Sequence, residues 1–406
     1  MFRQVARTNS TREPARGFRT LIKFALILCL TSLGGSPLLA QDSSPTPAIP
    51  IDSDEAPQET GELSAYTKQV IDTTVKRTHA ALGADFDGDG DVDIVATDYV
   101  NGKVYWYQKE GGGRFTKKVL DGNLRGAYPA AIGDVDKDGD IDVMAAGYLA
   151  DTFVWYQNNG RGTFTRRNID TNSNGAHSIV LGDLDKDGDN DFITSSQDAN
   201  TIGWYENKGR NTLTFARHII DTTAIKAKRA EMADMDRDGD MDIVSAAFGS
   251  HEIAWHENNG NQNFTKRSLD RTARGAYFVS PADIDRDGDM DIYAASRRDN
   301  TIAWYENKGS GTFTVHNIDT NARGARTVIA ADMDRDGDQD ALAASVDNDT
   351  LAWHKNDGRG NFSKQVIDKT LNGVYWGFAV DMDRDGDMDV ISASNLANMI
   401  AIHIRN

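Results

Sequence analysis

The sequence predicts an all-β fold, a seven-bladed β-propeller of four-stranded antiparallel blades whose last blade is closed by the N-terminal strand. Three observations carry this prediction. A motif, D-x-D-x-D-G-D-x-D, occurs seven times at a nearly fixed interval; each interval holds four strand-length apolar runs; and the fourth run missing at the C-terminus stands near the start of the chain.

The first aspartates of the motif fall at 85, 134, 183, 234, 283, 332 and 381, so the interval is 49 residues except for one of 51. A fixed period of this length is the mark of a repeat architecture. In the second unit the runs are "YPAAIG", "IDVMAAGY", "TFVWYQN" and "TFTRRNID". All are rich in β-branched and aromatic residues and are separated by Gly, Asn and Asp turns, with no helical period. Four strands in each of seven units describe a propeller.

Tryptophan supports the register. Trp106, Trp155, Trp204, Trp255, Trp304 and Trp353 each stand 21 residues after the first Asp of their unit, with Ile402 in the seventh place. A large apolar side chain recurring at one strand position is expected to pack between blades. His256, His354 and His403 follow this position as Tyr107, Tyr156, Tyr205 and Tyr305 do elsewhere, which assigns them to packing. The two extra residues of the third unit fall between Trp204 and Asp221 and are expected to lengthen one hairpin.

The ends of the chain supply the closure. The last unit stops at "MIAIHIRN", whereas "AYTKQVID" upstream of the first unit matches fourth strands such as "NFSKQVID". Asp72 precedes Asp85 by the same 13 residues that separate Asp121 from Asp134. Residues 65–72 are therefore expected to complete the last blade as its outer strand, which leaves no open blade edge there.

Upstream of the propeller, taken as residues 64–406, two segments differ in composition. Residues 1–40 carry a basic start, an apolar run from Leu21 to about Leu33 and a cut site after Ala40, and read as a secretory signal. Residues 41–63 are rich in Pro, Ser and acids and read as a flexible linker. The expected location is secreted, periplasmic or cell-surface, with no transmembrane domain in the mature chain. The single cysteine, Cys29, lies in the apolar run, so disulfide and thiolate chemistry are excluded from the mature protein.

Net charge has a definite address. The 406 residues carry −18; residues 1–40 hold six Lys/Arg and one acid, so the remainder has 38 basic against 61 acidic residues, or −23. Nucleic acid is excluded as a partner, since no basic stripe offsets the acidic loops. Thirty-five of those acids are the loop aspartates. They are Asp85, Asp87, Asp89, Asp91 and Asp93; Asp134, Asp136, Asp138, Asp140 and Asp142; Asp183, Asp185, Asp187, Asp189 and Asp191; Asp234, Asp236, Asp238, Asp240 and Asp242; Asp283, Asp285, Asp287, Asp289 and Asp291; Asp332, Asp334, Asp336, Asp338 and Asp340; and Asp381, Asp383, Asp385, Asp387 and Asp389.

Carboxylates this close repel one another unless a cation lies among them. Positions 1, 3, 5 and 9 present carboxylates, position 7 can present its carbonyl, and Gly at 6 permits the sharp turn, which resembles the first three quarters of an EF-hand loop. The bidentate Glu at position 12 is missing, Ala96 standing there in the first unit, and strands flank the loop. Through "DFDGDGDVDIV", "DVDKDGDIDVM" and "WYENKGSGTFTVHNID" the chain resembles the FG-GAP or VCBS repeat family, the propeller type of integrin alpha chains, over residues 65–406. The resemblance implies Ca²⁺ in the loop joining the first two strands of each blade, up to seven ions in all. Their expected role is structural, because a filled oxygen cage leaves no open position for substrate.

Function is then expected where the repeats disagree. Six residues before each loop stand His79, Tyr128, His177, Lys228, Tyr277, Arg326 and Tyr375, and Trp376 adjoins the last of them. On strands converging at the axis these residues would ring one mouth of the channel, at the end opposite the metal loops, and they are the candidate ligand-binding residues. Tyr99, Tyr148, Arg297 and Arg298, between second and third strands, would rim the same face. The first reading is a monomeric binding or adhesion module for a glycan or extracellular protein, with sugars stacked on the aromatic rings, as lectins and adhesion receptors of the resembling family suggest. The alternative is an enzyme of the polysaccharide-lyase type, with Arg326 or Lys228 neutralising a uronate and His177 and Tyr128 moving the proton. No nucleophile elbow, His-rich metal motif or phosphate loop is present to support other chemistry.

Overall fold

The computed structural model describes residues 65–406, apart from 210–213 and 310. The signal sequence expected at 1–40 and the linker expected at 41–63 lie outside the described residues. Seven four-stranded antiparallel sheets follow one another along the chain, and each innermost strand touches those of the blades on either side, the seventh meeting the first. In blade 1 the strands are β2 (Ala81–Ala84), β3 (Asp93–Asp98), β4 (Lys103–Glu110) and β5 (Arg114–Asp121). Helical structure among the described residues is limited to two 3₁₀ turns, Tyr148–Ala150 and Val346–Asn348.

Burial explains why these short runs hold as strands. The second strand of every blade is buried along its whole length, with sequences such as "DVMAAG" and "DALAAS". Both faces of such a strand are covered by neighbouring blades, so small and branched apolar residues run without alternation. Outer strands such as Phe164–Asp170 have one solvated side and mix exposed with half-buried positions.

The six tryptophans are buried, as the register predicted. Each reaches across a blade boundary where that contact is visible. A Cβ on Gly162 of blade 2 would stand 2.1 Å from the Trp106 ring, and one on Gly360 of blade 6 would stand 2.1 Å from that of Trp304. Glycine at these hairpins is therefore required by the ring of the preceding blade as well as by its positive φ. The longer hairpin of blade 3 leaves the ladder undisturbed, since Asn207 pairs with Phe215 as Asn158 pairs with Phe164.

The closing strand is where the sequence placed it. β1 (Tyr66–Asp72) pairs antiparallel with β28 (Met399–Arg405), outside β27 (Asp389–Ser394) and β26 (Val374–Val380), with Tyr66 opposite Arg405. The Asn406 N–H donates to the Ala65 carbonyl at 2.9 Å. At the other end of β1, the Asp72 carboxylate receives Lys117 Nζ at 2.6 Å and the Tyr107 hydroxyl at 2.7 Å, both from blade 1. Burial opposes the charge on Asp72, but these donors and Thr74 hold its pKa down at about 2. The same bond joins Tyr156 to Asp121 and Tyr305 to Asp270, so in these blades the residue after the tryptophan ties its blade to the end of the previous one, whereas His256, after Trp255, bonds Ser245 of its own blade.

Deleting residues 65–72 removes both the outer strand of blade 7 and its bond to blade 1. We expect a drop in melting temperature of roughly 10 °C or more, at about 2 °C per kcal/mol for a domain of this size. An unchanged melt by calorimetry would refute the closure.

Candidate metal centres and the opposite face

All seven aspartate loops join first to second strands and therefore crowd one end of the propeller. Within a loop the turn is held by its own side chains. The position 1 carboxylate accepts the amide of the position 6 glycine, as in Asp85 with Gly90 at 2.8 Å and Asp332 with Gly337 at 3.0 Å. Position 3 accepts the amide of position 5, and position 5 that of position 7, as in Asp87 with Asp89 and Asp89 with Asp91. Three carboxylate oxygens then come within 4.8 Å of one another in groups such as Asp85, Asp87, Asp89 and Asp234, Asp236, Asp242.

The donor set fits a metal ion by an independent observation. Oδ1 of the position 1 aspartate is buried without a hydrogen-bond partner in Asp183, Asp234, Asp283, Asp332 and Asp381. A buried carboxylate oxygen with no donor is costly unless a cation meets it. Asp183, Asp234 and Asp283 each belong to a cluster of three acids that could hold a metal ion.

Position 9 departs from the equal cage suggested by the spacing. Asp93, Asp142, Asp191, Asp242, Asp291, Asp340 and Asp389 are fully buried. In Asp142, Oδ1 accepts the Asn158 amide at 2.7 Å and Oδ2 the Val135 amide at 3.0 Å; the other blades repeat the pattern. This aspartate is thus a strut from the loop to the end of the third strand, contributing to the metal cluster in groups such as Asp134, Asp136, Asp142. Burial pushes its pKa up from 3.8 to about 7 in Asp142, Asp191, Asp242 and Asp291.

Position 4 is the feature that reading the aspartates alone misses. Its φ is left-handed in every loop: Gly88 in blade 1, then Lys137, Lys186, Arg237, Arg286, Arg335 and Arg384. These cations reach the next blade's loop. Lys186 meets Asp240 at 2.5 Å, Arg237 meets Asp289 at 2.9 Å, Arg286 meets Asp338 at 2.5 Å and Arg335 meets Asp381 at 3.0 Å. Lys137 donates to the Gly188 carbonyl. Arg384 of blade 7 lies against Gly90 of blade 1, where a Cβ would be 2.8 Å from its Nη2. The position 7 side chains of blades 4, 5 and 6 are therefore spent on cations of the preceding blade. The available signal was Lys or Arg at the same variable place in six units.

The other end of the first strands carries the expected ring, but the ring is closed. His79, Tyr128, His177, Lys228, Tyr277, Arg326, Tyr375 and Trp376 are all 5% exposed or less. His79 stacks between Tyr128 at 4.6 Å and Tyr375 at 5.2 Å, and Arg326 lies 3.9 Å from the Tyr277 centroid and 4.2 Å from that of Tyr375. Lys228 stands 3.2 Å from His177 Nε2, 5.1 Å from the Tyr277 centroid, and donates to Gln197. Burial, then the Arg326 and Arg77 charges, hold the His79 pKa well below its usual value.

A backbone irregularity invisible in the sequence explains the inward aim. The ladder between first and second strands slips at Ala176/Ser178, Ala227/Arg229, Ala276/Phe278, Ala325/Thr327 and Val374/Trp376. His177, Lys228, Tyr277, Arg326 and Tyr375 are therefore the extra residues of β-bulges, which re-aim a side chain off the ladder. Trp376, one residue on, packs against Phe278 at 6.2 Å, and Arg229 covers Phe278 at 5.0 Å while bonding Glu231 at 2.6 Å. The mouth is thus plugged rather than open, because seven large side chains converge on a narrow axis.

Above the plug lie the rim residues. Tyr99 is half-buried, 4.9 Å from His79, and Tyr148 is buried and bonds Asp198 at 2.7 Å. Arg298 is exposed over the half-buried Phe248 at 4.5 Å, and Arg297 is half-buried. His256, His354 and His403 are buried and bond Ser245, Asp319 and Ser392, in keeping with packing.

Chelating divalent ions should lower the melting temperature markedly, since ions bound only by the folded state stabilise it by mass action. The gain from metal should also shrink between about pH 7.5 and pH 6.5. A folded pKa raised to about 7 means stability present at low pH and lost as pH rises through 7, so acidification favours the metal-free fold while protons compete with metal. Buried His256, held down near 4 by burial, acts in the opposite direction only below pH 6.5. A metal-dependent shift in melting temperature that is absent, or that grows with acid, would contradict the assignment.

The geometry can be set beside known proteins. Six overlapping segments, residues 85–145, 134–194, 183–245, 234–294, 283–343 and 332–392, match the family model described as FG-GAP-like repeat. No curated protein sequence matches the chain significantly. Among solved structures, a streptogramin B lyase superposes with a TM-score of 0.59 at 13% identity, over 85% of this chain and 100% of that one. BBS1N in complex with ARL6DN, soaked with lead, superposes with 0.54 at 11% identity, over 84% and 98% respectively. At such identities the likeness is one of fold. Among the described residues no helix is long and apolar enough to cross a membrane. The matched segments run from the first aspartate loop into the last blade, and the chain belongs to the FG-GAP-like repeat family.

Proposed function

We propose that this protein is a binding module that works outside the cytoplasm, secreted or on a cell surface, as a monomer. Its seven aspartate loops take up to seven Ca²⁺ as structural ions, and its opposite face contacts a glycan or an extracellular protein. Calcium is supported by the all-oxygen donor set and the glycine-centred turn, which suit a hard cation of flexible geometry.

One observation carries the functional reading: the two ends of the propeller are built on different rules. At the loop end five aspartates and a glycine repeat in every blade. At the ring end the hairpins read "TDYVNG", "GYLADT", "SQDANT", "AFGSHE", "SRRDNT", "SVDNDT" and "SNLANM". Variation on a rigid scaffold is what recognition requires. The closed ring of His79, Tyr128, His177, Lys228, Tyr277, Arg326 and Tyr375, with Trp376, supports this face from beneath. Contact falls to the rim, where the Phe248–Arg298 pair offers an aromatic edge and a cation to a sugar ring or its carboxylate. Elimination chemistry would need Tyr128, His177, Lys228 or Arg326 to reach a substrate, and all four are buried, which favours binding.

Calcium-loaded protein on a broad glycan array should bind a restricted set of glycans, and a Phe248→Ala, Arg298→Ala double variant should lose at least tenfold in affinity. No binding by the parent protein would remove the glycan reading and leave protein partners; equal binding by the variant would move the contact off this pair.

A further inference from the structure

The ring-side face is not uniform, and its asymmetry identifies a second kind of contact. The seven connections that enter the blades on this face, residues 73–78, 122–127, 171–176, 222–227, 271–276, 320–325 and 369–374, contain eight Lys or Arg and no acid. On one side of the ring three of these cations are neutralised, Lys226 by Asp198 at 2.7 Å, Arg271 by Glu252 at 3.5 Å and Arg274 by Asp299 at 4.0 Å, and Arg323 alone on that side is exposed without an ion pair among the described residues. On the other side Lys369, Lys76, Arg77 and Arg125 are exposed, and among the described residues none of them makes an ion pair. Arg125 is held instead by the Leu149 carbonyl at 2.8 Å.

Aliphatic side chains are concentrated in the same sector. The residue 15 places after the first loop Asp forms the tip of the hairpin between second and third strands. It is Leu396 in blade 7, Val100 in blade 1 and Leu149 in blade 2, exposed by 58%, 59% and 50%. In blades 3, 5 and 6 the same tip is Asp198, Arg298 and Asp347, and in blade 4 it is Gly249. Three adjacent blades therefore present bare aliphatic tips between cations that make no ion pair among the described residues.

We propose that this sector docks on an anionic lipid bilayer, with Leu396, Val100 and Leu149 entering the interface and Lys369, Lys76, Arg77 and Arg125 on the headgroup phosphates. The inference rests on the reading of this face as the binding face and names a further partner for it. Repeat-equivalent positions stand at the same height, so the three tips meet a flat partner together. Separated aliphatic tips flanked by cations are what an interface of acyl chains and anionic headgroups accepts. A sugar would ask for exposed aromatic faces, and in this sector Tyr99 is half-buried and Tyr148 buried, unlike the Phe248–Arg298 rim on the other side of the ring. The acidic loop face, at the opposite end, is repelled by the same surface and leaves one orientation.

Sedimentation of the calcium-loaded protein with phosphatidylcholine vesicles, with and without roughly 30% phosphatidylglycerol, tests this at low ionic strength. Anionic vesicles should bind at least tenfold more tightly than neutral ones, and added salt should weaken the binding. A Val100→Asp, Leu149→Asp variant should lose about tenfold, as should Lys76→Glu, Arg77→Glu, with melting temperature and glycan-array pattern unchanged. Equal binding by both variants, or none to anionic vesicles by the parent, overturns the inference. Binding of soluble polyglutamate without binding of vesicles would also overturn it, in favour of an acidic protein. Vesicle failure with glycan binding intact leaves the proposed function standing; loss of both removes the face as a binding site.

Discussion

Five carboxylates in nine residues, repeated seven times, set the terms for the rest of this molecule. Such a loop is stable only if something positive or donating meets most of its oxygens. The structure divides the task. Backbone amides take both oxygens of position 9 and at least one of position 1, cations from the preceding blade take position 7 in blades 4, 5 and 6, and in five loops the buried Oδ1 of position 1 is left without a donor. What a single loop lacks, the neighbouring blade partly supplies, so satisfying the loops and closing the ring are one event.

Much of this was legible because it repeats. The period of 49, the tryptophan register and the displaced outer strand "AYTKQVID" specify seven blades and their closure, since each reflects a side chain that must be buried or a ladder that must be filled. Three features were not legible for physical reasons. The inward aim of His177, Lys228, Tyr277, Arg326 and Tyr375 depends on a bulge, a backbone event without a fixed sequence sign. Their burial depends on the width of the axis, which residue type alone does not give. The cation at position 4 was visible as Lys or Arg, but its role depends on a left-handed φ and the distance to the next loop.

The plugged axis changes where recognition can occur. A ring of His, Tyr, Lys and Arg resembles a ligand site in sequence, yet here its members stack on one another and hold the blades from the second end. Arg326 lies over the faces of Tyr277 and Tyr375, where the negative face of each ring attracts the guanidinium. Both ends of the propeller are thereby fastened, one by acidic loops and one by a cation–aromatic plug. The variable hairpins ride on a rigid base, with the loop end acidic and the connections that enter the blades at the ring end basic.

Native mass spectrometry of the folded chain in calcium reads the central claim directly, by counting ions. Seven bound Ca²⁺ per chain, released together on chelation, is the expected result, one for each aspartate loop. A folded chain that carries none under those conditions would show that amides and neighbouring cations alone balance the loops, and the metal assignment would fall.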